Sequence, residues 1–155
     1  MRLTTSTRST AVPMPPESAY AVVASGRPGP QWYADAAPLV LRGALDRVLG
    51  GPGRRWPAPD RPLLSRGDRV GFWRVVAAGD GVLDLEAEVR APGSVRLRTE
   101  VLPDGPGSRV DQRVSFAPDG LLGAAYLLAD LPARETLIAL VHRRLLRDLT
   151  AAPPR

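Results

Sequence analysis

Three observations predict an α+β fold, a curved antiparallel β-sheet wrapped around a long C-terminal α-helix, with two short helices near the N-terminus. Apolar and charged residues alternate through much of the stretch from position 68 to 116. Short turns rich in Gly, Pro and Asp divide that stretch into four segments, the mark of an antiparallel meander. An apolar run, FAPDGLLGAAYLLADLP from Phe116 to Pro132, then leads into helical spacing as far as Leu149, and a sheet with one dry face needs such a cover.

Taken in order, residues 1–17 are rich in Ser, Thr and Pro and read as an arm or a first edge strand. Ser18 to Ser25, SAYAVVAS, reads as a short strand. Gln31 to Leu49 has helical apolar spacing divided by Pro38, which predicts the two short helices. Gly50 to Gly67 has the composition of a long irregular loop. The four strands are then expected at 68–77, 82–90, 94–102 and 108–116. On the middle strands Leu83, Leu85, Ala87 and Val89 share a face, as do Val95, Leu97, Thr99 and Val101, and Val110, Gln112, Val114 and Phe116. The opposite faces carry Asp84, Glu86, Glu88, Arg96, Arg98, Glu100 and Arg113, so one side is dry and the other wet. Cross-strand pairing, not catalysis, is the expected work of those charges. Asp119 and Asp130 are placed to cap two successive helices, with Pro132 in the first turn of the second. The long helix, 131–149, has Ile138, Val141, Leu145 and Leu149 on its apolar stripe.

With 155 residues, the chain fits a single domain, 18–150, with 151–155 as a tail. It has no Cys and no Lys; all 21 basic residues are Arg. That excludes thiolate and Schiff-base chemistry and Cys-ligated metal, and it fits a cytoplasmic setting. One His, at 142, leaves no imidazole pair for a metal. The start has no apolar signal core and no apolar run reaches a membrane span, so neither export nor a membrane partner is expected. The net charge of +5 invites a nucleic-acid reading, but an all-Arg chain without Lys or Asn and rich in Ala, Pro and Gly fits high-GC codon bias, and no nucleic-acid partner is expected. GGPG at Gly50 to Gly53 lacks the Lys of a phosphate loop and reads as a turn. There is no G-x-S-x-G elbow.

Several spaced elements together resemble DUF2867, a family of uncharacterised function: GD at Gly67 and Asp68, FWRV at Phe72 to Val75, LDLEAE at Leu83 to Glu88, PG at Pro92 and Gly93, and QRVSFAPDGLLGAAY at Gln112 to Tyr126. The resemblance covers roughly residues 18–148. It implies a helix-grip, START-like (SRPBCC) fold with a cavity for a hydrophobic small molecule between sheet and helix. The wider superfamily includes lipid carriers, hormone receptors and polyketide cyclases. Two positions depart from the family pattern: Leu127 stands where Trp is frequent and Arg134 where His is frequent.

The candidate site follows from polar residues on the dry face. Thr99 and Gln112 interrupt apolar rows, and turn counting places them side by side. The same counting sets Arg74 opposite Leu85, giving a row Arg74, Leu85, Thr99, Gln112 if Val70, Phe72, Arg74 and Val76 point inward; Trp73 is the competing inward residue. His142 lies on the helix stripe, as a structural histidine or as a general acid or base. Tyr126 offers a phenol, and Trp32, Tyr33 and Trp56 are further aromatic candidates. Catalytic roles thus fall to His142 and Arg74 and ligand contacts to Trp73, Thr99, Gln112 and Tyr126. Three functions are open: a carrier of a hydrophobic molecule, a cofactor-independent cyclase or isomerase, and an interaction module whose Arg-rich face meets an acidic partner. A second copy of the chain is a further candidate partner.

Overall fold

The computed structural model describes residues 4–35, 48, 56–88, 93–118 and 120–152. The chain begins with β1 (Thr4–Val12), the helix α1 (Pro16–Val23), β2 (Ser25–Gly26), the short helix α2 (Trp32–Asp35) and β3 (Arg61–Leu63). The meander follows as β4 (Arg69–Val70), β5 (Trp73–Gly79), β6 (Val82–Ala87), β7 (Gly93–Asp104) and β8 (Gly107–Pro118), and α3 (Gly120–Ala151) closes the fold. Six strands form one antiparallel sheet in the order β1-β8-β7-β6-β5-β4, and β2 pairs with β3 apart from it.

Residues 4–12 are a full strand, paired with β8 from Thr4 opposite Phe116 to Val12 opposite Ser108 without a register shift. Ser18 to Ser25, expected as a strand, is for the most part α1. Pro16 occupies the first turn, where its missing N–H is harmless, and Glu17 follows, where negative charge suits the helix dipole. Ala19 and Val23, four residues apart, are both buried. An eight-residue apolar run fits either period; the Pro-Pro-Glu lead-in decides for helix. Beyond α2, residues 36–47 of the second predicted helical stretch, 50–55 of the predicted loop and the Asp119 cap lie outside the described residues.

The stretch 68–77 is two strands, not one. Gly71 has φ 60°, and β4 folds back so that Val70 faces Trp73. The β5–β6 connection is a two-residue turn at Asp80 and Gly81, with φ 51° and 76°, the left-handed pair that suits the twist of a hairpin. Gly105, φ 56°, starts the equally tight β7–β8 turn with Pro106. The C-terminal helix is continuous over 32 residues, where a break at Asp130 had been expected. Pro132 forfeits one backbone hydrogen bond, and the helix runs on past it.

Inward rows now follow from the register. One runs Val75, Leu85, Leu97, Val114, Ser6, and the next Leu83, Thr99, Gln112, Arg8. Ile138, Val141, Leu145 and Leu149 of α3 are fully or almost fully buried, each worth about 1.5–3 kcal/mol over exposure. α3 lies along β8 and β1, while α1 packs on β7. Tyr20 of α1 fastens the β5–β6 hairpin, accepting from Gly79 N at 2.6 Å and donating to the Val82 carbonyl at 2.9 Å.

Gly81 offers a test of this register. A Cβ there would stand 2.7 Å from the Val101 carbonyl oxygen, in addition to the positive φ. Gly81→Ala is expected to lower unfolding free energy by about 2 kcal/mol, read as a fall in the urea midpoint. Gly79→Ala, also at positive φ but with open space around the new methyl, should cost less.

Candidate functional site

The single histidine organises a side-chain hydrogen-bond chain that links the helix to the sheet interior. His142 is 5% exposed, held by the helical spacing that also buries Ile138 and Leu145. Its Nδ1 lies 2.9 Å from Gln112 Oε1 on β8. A carbonyl oxygen only accepts, so Nδ1 carries the hydrogen. Its Nε2 lies 2.8 Å from Thr10 Oγ1 on β1, and in the neutral ring that nitrogen accepts the threonine hydroxyl. Gln112 then donates through Nε2 to Thr99 Oγ1 on β7 at 3.1 Å. Thr10, His142, Gln112 and Thr99 thus form one chain across three strands and the helix.

Burial pushes the His142 pKa below its ordinary value, the nearby Arg8 guanidinium lowers it further, and Asp111 opposes the shift. The ring is therefore neutral at neutral pH, as the tautomer requires. Arg8 itself faces inward at the sheet edge and pairs with Glu135 of α3 at 3.1 Å, and the Ser6 hydroxyl donates to the same carboxylate.

Two donor hydrogens in this chain have no partner among the described residues. Gln112 Nε2 carries two and uses one; Thr99 Oγ1 accepts from Gln112, leaving its own hydroxyl hydrogen. Both side chains are wholly buried. Beyond them, toward the α3 N-terminus, the inward residues of β7 and β8 are apolar, Leu97 and Val114, then Val95 and Phe116, with Ser6 of β1 beside Val114.

Thr99 and Gln112 are brought together as expected. Arg74 is not with them. It faces the wet side, 47% exposed in its side chain, 3.5 Å from Glu86 and 3.9 Å from Glu88, and Trp73 is the inward residue, 3% exposed. The cause is a register shift between Val75 and Ala77 combined with the two-residue turn; together they set Arg74 opposite Glu86, not Leu85, and a one-residue slip exchanges faces. Leu83, not Leu85, stands opposite Thr99. Trp73 is no free ligand platform either: its Nε1 donates to the Tyr33 carbonyl at 2.7 Å and its ring packs on Phe72. Tyr126 lies 16 positions before His142 on one continuous helix, about 24 Å away at 1.5 Å per residue, so the two belong to opposite ends of the molecule; the Tyr126 side chain lies outside the described residues.

The aromatic candidates at the α2 end are core. Trp32 and Tyr33 are buried; Trp32 Nε1 donates to the Val23 carbonyl at 3.0 Å and the Tyr33 hydroxyl to the Ser25 carbonyl at 2.5 Å. Burial, then Asp35, pushes the Tyr33 phenol well above its usual range. Trp56 is half-buried, bridged to Gly71 and covered by Arg69 at 5.2 Å, beside an open hollow of about 290 Å³ walled by Tyr33, Asp35, Pro57 and Val70. On the wet face, Arg69, Arg74, Arg96, Arg98 and Arg109 each lie within salt-bridge distance of Glu88, Glu86, Asp84, Glu100 or Asp111. Such pairing leaves that face as a self-compensated ladder. No cluster of three or more His, Asp or Glu residues suited to a metal occurs among the described residues, and no helix among them is long and apolar enough to cross a membrane.

Sequence reasoning missed Thr10, Arg8 and Glu135. The alternation Ser6, Arg8, Thr10, Val12 was the available signal, hidden because three of these four residues are polar.

An antiparallel sheet gripping a long C-terminal helix, with two short helices ahead of the meander, defines a helix-grip, START-like fold. The chain belongs to the family described as protein of unknown function (DUF2867), whose model matches residues 4–140. Among solved structures it is similar to a Rhodobacter sphaeroides protein, at 16% identity and TM-score 0.52 over 97% of this chain and 99% of the other. It is also similar to Ara h 8.0201, at 12% identity and TM-score 0.48 over 96% and 99%. At 16% identity the likeness to the Rhodobacter sphaeroides protein is one of fold. No curated protein sequence matches the chain.

The neutral state of His142 has a thermodynamic consequence. The unfolded chain titrates near the ordinary value of about 6.5, the folded one lower, so the unfolded state binds more protons between the two. The His142 contribution to stability is thus full above about pH 6.5 and is lost as pH falls from there through the depressed folded-state value. His142→Gln, which keeps a polar side chain but gains no proton, should flatten that part of the curve. Urea midpoints between pH 7.5 and 5 for both proteins check this; parallel curves would show that another group carries the dependence.

Proposed function

We propose that this protein binds a hydrophobic small molecule between the sheet and the first half of α3, with one ligand oxygen at Thr99 and Gln112. The observation that carries this reading is the pair of uncommitted donor hydrogens, Gln112 Nε2–H and Thr99 Oγ1–H, on an otherwise apolar stretch of the inward face. Buried donors without acceptors are costly, and a carbonyl or carboxylate arriving over Leu97 and Val114 would satisfy both. Apolar walls with a few convergent polar groups are the usual make-up of a ligand site, and the helix-grip fold supports the same reading.

The binding role is favoured over a cyclase or isomerase role. Both ring nitrogens of His142 are committed, to Gln112 and Thr10, so proton transfer to a substrate would first have to break the chain that fixes the helix. His142 serves here to orient the Gln112 amide, directing Nε2 toward Thr99. Arg74, on the wet face, has no part in it.

Thr99→Val removes the hydroxyl at nearly constant volume. We expect it to weaken binding of an acylnaphthalene dye about tenfold, roughly 1.4 kcal/mol, while a matched alkylnaphthalene binds within twofold of the unmodified protein. Fluorescence titration measures both. Failure of either dye to bind, with native mass spectrometry of the purified protein also showing no retained molecule, would count against the reading.

A further inference from the structure

The two edges of the six-stranded sheet are unlike. At one end β4 is two residues long and turns away at Gly71, the blunt form that prevents edge pairing. At the other, β1 is nine residues long, in unbroken register with β8, with no strand among the described residues on its far side. It contains no Pro, no Lys and one charged residue, Arg8. Its outward side chains, Thr5, Thr7, Ser9 and Ala11, are exposed and uncharged. Natural edges of this length are usually guarded by a charge on the exposed face, a bulge, a proline or an inward-pointing charge; of these β1 has only the last, Arg8, whose charge Glu135 already compensates.

We infer that β1 pairs antiparallel with β1 of a second copy of this chain about a twofold axis at Thr7, joining two six-stranded sheets edge to edge. A second copy fits because the strand is close to self-complementary. Centred on Thr7, the outward row sets Thr7 against Thr7 of the other copy and Thr5 against Ser9, the hydroxyl pairs that stabilise neighbouring strands. The inward row sets Ser6 against Arg8. Ser6 holds the Glu135 carboxylate, and Arg8 already pairs with Glu135 within its own chain at 3.1 Å. The register therefore brings each guanidinium beside the carboxylate of the other copy and makes a four-membered alternation of charge. Centring on Arg8 instead would set the two guanidiniums face to face. About seven residue pairs, Thr4 to Thr10, would be joined, a ladder of roughly 24 Å. That is a small interface, so association in the micromolar range is expected.

The absence of cysteine makes the register directly testable. In Thr7→Cys, mild oxidation is expected to yield a disulfide-linked dimer at protein concentrations near the dissociation constant, because only that position meets itself across the axis. Arg8→Cys and Ala11→Cys should remain largely uncrosslinked. Sedimentation velocity of the unmodified protein should show a concentration-dependent dimer. Thr7→Lys, whose side chain points to solvent in the single chain, should raise the dissociation constant at least tenfold with an unchanged circular dichroism spectrum. A protein that stays monomeric at 200 µM overturns the inference, as does a dimer indifferent to Thr7→Lys. Preferred crosslinking through Arg8→Cys overturns the Thr7 register.

Discussion

Everything described under the C-terminal helix depends on one constraint: a buried imidazole must have both nitrogens satisfied. His142 meets it with a β8 amide on one side and a β1 hydroxyl on the other. That requirement fixes the rotation of α3 about its axis, because a turn of one residue would carry the ring away from both partners. It also fixes the sliding of α3 along the sheet, since Leu145 and Leu149 must then stay within the buried core. Apolar packing alone tolerates such shifts at modest cost; a directional chain of hydrogen bonds does not. The Arg8–Glu135 pair, two turns earlier on the helix, adds a second point of attachment to the same strand.

The same chain divides the interior. On the α1 side of it, Val101, Val110, Leu145 and Leu149 are buried; on the other side Leu97, Val114 and Phe116 are buried as well, and Val95 is half-buried. A polar boundary thus separates two buried apolar regions. The charged outer face contributes little to either. Its ion pairs are mostly solvent-exposed, worth at most about 1 kcal/mol each; Arg74–Glu86, Arg96–Glu86 and Arg98–Asp84 join neighbouring strands, while Arg98–Glu100 and Arg109–Asp111 lie within one strand.

The pairing of Thr99 with Gln112 was legible because the β7–β8 turn is short and unambiguous, and a period of two then fixes every residue on both strands. Arg74 was misplaced for an equally local reason. The string AGDG permits a two- or a four-residue turn, which moves the register by two and keeps the face; the shift after Val75, which leaves no trace in composition, moves it by one and exchanges faces. His142 could be placed on the helix stripe from spacing alone, but its partners could not, since Thr10 is 132 positions away and sits on a strand whose inward residues are mostly polar. Nor could the continuity of α3 be read. Asp130 and Pro132 are ordinary helix-start signals, and only the rest of the fold, which leaves the helix nowhere to turn, overrides them.

The position of β1 has a consequence for biosynthesis. Of the strands of this sheet it leaves the ribosome first, yet its neighbour among the described residues, β8, lies about a hundred residues later, as Ser9 opposite Asp111 illustrates. Closing so long a loop carries an entropic cost that no local contact offsets. The hairpins from β5 to β8, with connections of a few residues, meet no such delay. β1 is thus the earliest made and among the last placed, and its Ser, Thr and Arg content keeps an unpaired strand hydrated while the rest of the sheet assembles.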